Sequence, residues 1–145
     1  MGRMTSGPKA GRPLLVSLVF DGGSKGNPGP TYGSFLITSK GLPRKPIRRL
    51  KWGKGTNNEA EYRALISGLR ELLKELDQNG VDPGRVKLRI AGDSKLVLNQ
   101  IGKTWKAKSP RMRDLRDEAL PLIENFGGVS FVHQARKESV RILGH

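Results

Sequence analysis

Three carboxylates in this sequence stand where a ligand could reach them. Asp21 follows the apolar run Leu14 to Phe20 and precedes Gly-Gly-Ser-Lys-Gly-Asn-Pro-Gly-Pro. A carboxylate at the end of a buried strand, beside glycines, is rigidly held yet open to a ligand, as a metal-binding carboxylate must be. Asp93 repeats the arrangement, with Leu88-Arg89-Ile90-Ala91-Gly92 before it and Ser94 after it. Taken singly, Asp21 also suits a turn, and Asp93 suits the N-cap of the helix that follows. Glu61 lies one residue before Tyr62 and four before Leu65, so it borders the apolar face of a helix and points toward the sheet edge. On an isolated helix it would equally serve as a surface acid favoured by the helix dipole. Converging without Cys or paired His ligands, the three would suit a hard, oxygen-seeking divalent ion, Mg²⁺ or Mn²⁺. The chain carries 27 Lys and Arg against 13 Asp and Glu, a net charge of +14, so the partner expected at such a site is a polyanion, nucleic acid, and the chemistry that of phosphodiesters.

The elements that must hold these residues are visible as a change of hydrophobic period. Leu14 to Phe20 is a short, β-rich apolar run, the Gly/Pro cluster Gly22 to Pro30 turns the chain, and Tyr32 to Thr38 alternates again, predicting two antiparallel strands. Pro46 to Trp52 supplies a third strand of this meander. After Thr56-Asn57-Asn58 the period becomes 3.6: Tyr62, Leu65, Ile66, Leu69, Leu72, Leu73 and Leu76 fall on one helical face. Asn58 reads as its N-cap, Glu59 and Glu61 sit in its first turn, Glu71 and Glu75 fall among solvated positions, and Asn79-Gly80 ends it. A strand over Val86 to Ala91, a short helix through Leu96, Val97 and Ile101, a third helix from about Arg111 to Phe126 and a strand over Val129 to Val132 follow, with a terminal helix from Ser139. Hairpin-linked strands followed by helical crossovers predict an α/β fold with a mixed sheet covered by helices.

Composition bounds the reading. At 145 residues the chain fits one domain on a scale of roughly 100–200 residues each. Leu, Ile, Val and Phe make up 37 of the 145 residues, above the roughly 20% below which charged chains stay disordered, so a packed core is expected. There is no cysteine, which removes disulfide scaffolds, thiol catalysis and Cys-type zinc sites together. No apolar run approaches the ~18 residues of a membrane span, so no membrane partner is expected and a cytoplasmic setting is the simplest one. Residues 1–13, rich in Gly, Pro, Ser and basic residues, read as a flexible basic arm ahead of a single domain over 14–145.

Three segments resemble motifs of the type 1 ribonuclease H family. Asp21-Gly-Gly-Ser-Lys-Gly-Asn27-Pro-Gly-Pro30 resembles its first-strand motif, Thr56-Asn57-Asn58-Glu59-Ala60-Glu61-Tyr62 its first-helix motif, and Gly92-Asp93-Ser94-Lys95-Leu96-Val97 its fourth-strand motif. The resemblance spans about residues 14 to 133 and implies a ribonuclease H-like fold: a mixed five-stranded sheet with helices on both faces. It implies an endoribonuclease that cleaves the RNA strand of RNA–DNA hybrids with two divalent ions, held by Asp21, Glu61 and Asp93. Glu59 falls on a variable position and is expected to be dispensable. A two-ion site needs no protein nucleophile, consistent with the absence of cysteine and of a Ser/His/Asp arrangement.

Substrate contacts follow from the resemblance and the charge together. Asn27, Thr56, Asn57 and Asn58 lie in the matched motifs, and the three asparagines match positions that meet the hybrid minor groove, where amides can read 2′-hydroxyls. Turn and cap duties are open to the same residues. Lys95 follows the third carboxylate. Two tracts could hold phosphates: Lys40 to Lys54, with seven basic residues and no acid, and Lys103 to Arg116, with six basic residues against Asp114. Trp105, Lys106 and Lys108 form an aromatic flanked by lysines, suited to stacking and phosphate neutralisation, although Trp105 could also cap the core. The tail departs from the family, which places a fourth acid in a C-terminal helix. Aligned without gaps from Val132 that position is Arg141, and aligned on Ser139 as a helix cap it is Leu143; neither binds a cation. Glu138 is the only acid in the tail, and His145, able to donate a lone pair, is the candidate fourth ligand.

Beside the hybrid-directed nuclease, which is expected to act as a monomer, two other functions are compatible with these residues. One is a non-catalytic binder of hybrids or double-stranded RNA, supported by the missing fourth acid and opposed by the three retained carboxylates. The other is a DNA-acting nuclease of the same superfamily, against which the Asn-Pro-Gly-Pro and Asn-Asn elements speak.

Overall fold

Residues 12–102, 106–107 and 109–144 are described by the computed structural model of the chain. Strands β1 (Leu14–Ser24), β2 (Gly29–Thr38) and β3 (Arg48–Gly55) form the expected antiparallel meander. Helix α1 (Asn57–Gln78) then leads through a short 3-10 turn, Pro83–Arg85, to β4 (Val86–Gly92). Helices α2 (Lys95–Ile101) and α3 (Pro110–Ile123) precede β5 (Gly128–His133), and α4 (Arg136–Leu143) closes the described chain. The sheet order is β3-β2-β1-β4-β5, with β4 parallel to both β1 and β5. Among the described residues no helix is long and apolar enough to cross a membrane.

Alternation in the strands sends Val16, Leu18, Phe20, Phe35, Leu88 and Ile90 into the larger core, against Tyr62, Leu65, Leu69, Leu72 and Leu76 of α1. Burying a side chain of this size contributes about 1.5–3 kcal/mol, and ten or more of them fix α1 across β1 and β2. Gly68 favours this closeness: a Cβ there would stand 2.7 Å from Leu18 Cδ1, so the Leu18 side chain would have to shift. The opposite sheet face carries a smaller core of Val19, Ala91 and Leu143, joined by Leu36, Ile47, Val132 and Ile142, under α4. Helices therefore cover both faces, as expected.

Several boundaries differ from the sequence reading. The N-cap of α1 is Thr56, not Asn58: the Thr56 hydroxyl accepts from Glu59 N–H, and the Glu59 carboxylate accepts from Thr56 N–H, a reciprocal capping box. Helix α4 begins at Arg136 rather than Ser139, which is buried inside it and accepts from Gln134 Nε2. Helix α3 ends at Ile123, before Phe126. Glu75 is not solvated. It is buried, 3.1 Å from Lys45 Nζ, and accepts from Asn79 Nδ2, because the start of β3 and its preceding loop close over that end of α1.

Candidate active site

Strand β1 outruns its neighbour. Its parallel pairing with β4 stops at Val19 opposite Ala91, whereas its pairing with β2 continues through Asp21 opposite Ser34 to Ser24 opposite Thr31. Two residues beyond the last parallel pair stand Asp21, still within β1, and Asp93, the residue just after β4. Asp21 thus lies within β1, not after it, and the turn role does not apply. Nor does Asp93 cap α2, because Ser94 takes that position and accepts from Val97 N–H.

Glu61 reaches the same place from α1. Its Oε1 accepts a 2.5 Å hydrogen bond from Gly22 N–H, the residue after Asp21. Only glycine permits the approach: a Cβ on Gly22 would lie 2.5 Å from the carbonyl carbon and oxygen of Ala60. Glu61 is 7% exposed, which removes the reading of a surface acid. Ligand oxygens of Asp21, Glu61 and Asp93 all lie within 4.8 Å of one another.

This crowding is electrostatically costly without a cation. Burial, then the charges of Asp21 and Asp93, push the Glu61 carboxyl up to about 9. Burial and then Asp21 also raise Asp93, opposed by Arg136. Asp93 Oδ2 is buried and makes no hydrogen bond. Three crowded carboxylates, one with a buried oxygen that makes no hydrogen bond, are a donor set for a hard divalent ion, and the residues present fit such an ion.

The other expected site residues fall into three groups. Asn27, Thr56 and Asn57 are brought together where the β1–β2 turn meets α1: Asn57 N–H donates to Asn27 Oδ1, and Asn57 Oδ1 accepts from both Ser24 N–H and Ser24 Oγ, each at 2.9 Å. Asn27, Asn57 and Asn58 are exposed, whereas the Thr56 hydroxyl is engaged as the cap. Lys95, first residue of α2, and Lys106 are exposed. Trp105, Lys108, Lys103 and His145 lie outside the described residues.

Neither alignment of the tail brings an acid to the cluster. Arg141 is exposed and bound to Glu138 of its own helix, while Leu143 is buried in the smaller core. Instead Arg136 comes close, its Nη1 3.5 Å from Asp93 Oδ2. The sequence reading missed this residue, and its position just after β5 was the only signal. Glu59, expected to be dispensable, has structural duties: beyond its capping role, its Oε2 accepts a 2.6 Å bond from Arg111 Nε at the start of α3, which holds its carboxyl below the usual range. The basic tract Lys40 to Lys54 is partly consumed internally: Lys45 pairs with Glu75, Arg48 with Glu71, and Arg49 donates to the Leu143 carbonyl.

Comparison with known proteins places the fold and the family. The crystal structure of RNase H1 from Halobacterium salinarum superposes with a TM-score of 0.74 at 32% identity, covering 88% of this chain and 90% of that one. The LC11 RNase H1 in complex with RNA/DNA hybrid gives 0.75 at 28% identity, covering 87% and 89%. The fold is thus ribonuclease H-like, as the resemblance of the three motifs implied. A family model described as reverse transcriptase-like matches residues 47–141. Ribonuclease HI of Halobacterium salinarum is 33% identical over 128 residues, 87% of this chain and 59% of that protein. A bifunctional protein of Mycobacterium tuberculosis is 36% identical over 119 residues, 81% of this chain but 30% of the relative. The chain belongs to the ribonuclease H family, and it spans less than a third of the mycobacterial relative and about three-fifths of the halobacterial one.

Proposed function

We propose that this chain is an endoribonuclease that hydrolyses the RNA strand of RNA–DNA hybrids, with Asp21, Glu61 and Asp93 holding Mg²⁺ or Mn²⁺. The observation that carries the reading is the convergence of three carboxylates within 4.8 Å in a chain of net charge +14. Asp21, Glu61 and Asp93 would hold the ions, two when substrate is bound, which would supply an activated water and offset charge on the departing 3′ oxygen. The chain's own residues supply position. Asp21 is fixed by the β1–β2 ladder, Glu61 by Gly22 N–H, and Asp93 by its place between the end of β4 and Ser94, the N-cap of α2.

Asn27, Asn57 and Asn58 form the rim that reads the hybrid's minor groove, with Thr56 capping the first turn that carries Asn57 and Asn58 and the Asn27 side chain accepting from Asn57 N–H. Lys95, Lys106, Lys108 and Trp105 hold the phosphates and sugars alongside. His145 is retained as the proposed fourth ligand, and His145→Ala tests it: a loss of activity at limiting Mn²⁺ with an unchanged melting temperature would support the role. The LC11 relative, solved with an RNA/DNA hybrid, supports the substrate class. We read the protein as a cytoplasmic monomer.

The test is a cleavage assay on matched hybrid, double-stranded RNA and duplex DNA, with Mg²⁺, Mn²⁺ or chelator. Metal-dependent cutting of the hybrid's RNA strand alone is expected, and cutting of duplex DNA instead would overturn the substrate. A second reading, a non-catalytic hybrid binder, is favoured by one observation: α4 presents Arg136 to the cluster and no acid. Hybrid binding with no cleavage under either metal would establish that reading in place of the first.

A further inference from the structure

The start of α4 is tied to the acidic cluster by backbone. His133 pairs with Gly92 across β5 and β4, and Gln134 N–H donates to the Gly92 carbonyl, so the chain entering α4 passes beside Asp93. Arg136 follows two residues later. Its guanidinium meets Asp93 Oδ2, a buried oxygen that makes no hydrogen bond. The Arg136 side chain is 69% exposed and Asp93 only 10%, so one partner is anchored and the other can leave. On the same helix, Glu138 and Arg141 are engaged with each other.

We infer that Arg136 is a built-in counter-ion of the carboxylate cluster, competing with a divalent ion for Asp93 Oδ2 and so weakening the site's affinity for metal. The inference rests on the reading of Asp21, Glu61 and Asp93 as metal ligands. An ion entering the cluster meets a guanidinium already on one of its oxygens, and must displace it and tolerate its charge nearby. A pair with one exposed partner is weak, so displacement is feasible, yet its removal is measurable. Since Arg136 is the first residue of α4, where the helix dipole disfavours a cation, replacing it does not remove a helix-stabilising charge.

The test is Mn²⁺ titration of the nucleic-acid-free protein by calorimetry at low ionic strength, with melting curves to confirm folding. Arg136→Gln, with Arg136→Ala as a second uncharged variant, should bind Mn²⁺ about three- to tenfold more tightly than wild type. Arg136→Lys should stay within about twofold of wild type, since it keeps the charge. Arg141→Ala, which removes one positive charge from the same helix, should bind as wild type, showing that the effect is local. Asp93→Asn should lose most binding. Uncharged variants that bind Mn²⁺ no more tightly than wild type, with Asp93→Asn still defective, would overturn the role of Arg136 and leave the metal site standing. If wild type and Asp93→Asn alike show no saturable Mn²⁺ binding, the metal site itself falls, and the inference with it.

Discussion

At the residue scale, three carboxylates at this spacing oppose one another until a cation arrives. Replacing any one by its amide keeps volume and removes a ligand oxygen's charge. Asp21→Asn, Glu61→Gln and Asp93→Asn should therefore each lower kcat by at least about 100-fold while leaving hybrid Kd within a few-fold, measured by single-turnover cleavage and by filter binding. Glu61 also gives a stability prediction. Its folded pKa lies near 9 and its ordinary value is 4.5, so between those limits the metal-free folded state holds a proton that the unfolded chain has released. The contribution is fully present below about 4.5 and is lost as pH rises toward 9. Glu61→Gln should flatten this slope and raise the melting temperature of the metal-free protein at pH 8 by a few degrees, taking about 2–4 °C per kcal/mol for a chain of this size. An unchanged pH profile in the variant would show that Glu61 is not the titrating group.

At the element scale, α1 does two things: it seals the larger core and delivers Glu61 to the end of β1. Both depend on contacts at its first turn. Glu59 closes the capping box and ties α1 to α3 through Arg111. Glu59→Ala should lower stability by about 1 kcal/mol, the usual cost of a lost cap, with kcat close to wild type. Gly22→Ala drives a Cβ into the Ala60 backbone and should cost roughly 1–3 kcal/mol, typical of overpacking. It should also lower kcat, because Glu61 loses its hold on Gly22 N–H. A Gly22→Ala protein with full activity would separate that hydrogen bond from catalysis. The capping box was legible in Thr56-Asn57-Asn58-Glu59, since Thr followed three residues later by Glu is its signature, yet Asn58 was the residue read as the cap.

At the scale of the whole molecule, the surplus of 14 positive charges sets how the protein meets a polyanion. Hybrid affinity should fall with salt at about 0.9 logarithmic units per phosphate neutralised, taking B-form DNA as reference. Replacing Lys103, Lys106 and Lys108 together by Ala should reduce that slope by about 2–3, measured between 50 and 200 mM salt. A slope unchanged by the triple substitution would move the phosphate contacts to other cations, among which Lys51 and Lys54 on the edge strand β3 are exposed. Arg48 and Arg49 of the same strand serve the fold instead, pairing with Glu71 and capping the carbonyl end of α4.

Local patterning of the chain carried the elements and the donor types. Hydrophobic period is a local property of the chain, so the meander, the long helix through Leu76 and the strand before Asp93 were readable from residue spacing, and so were a carboxylate set and a basic surface. What met what was decided by tertiary structure. Asp21 and Asp93 are neighbours because β4 pairs parallel to β1 in the register that sets Val19 opposite Ala91. Glu61 joins them because α1 packs closely enough on β1 for Gly22 to be obligatory. Glu75 looked solvated by helical position and is buried, since the loop carrying Lys45 folds over it. Arg136 reaches Asp93 only because β5 pairs with β4 and leads α4 past it. Register and packing join residues far apart in the chain, and no local pattern of side chains encodes which of them will touch.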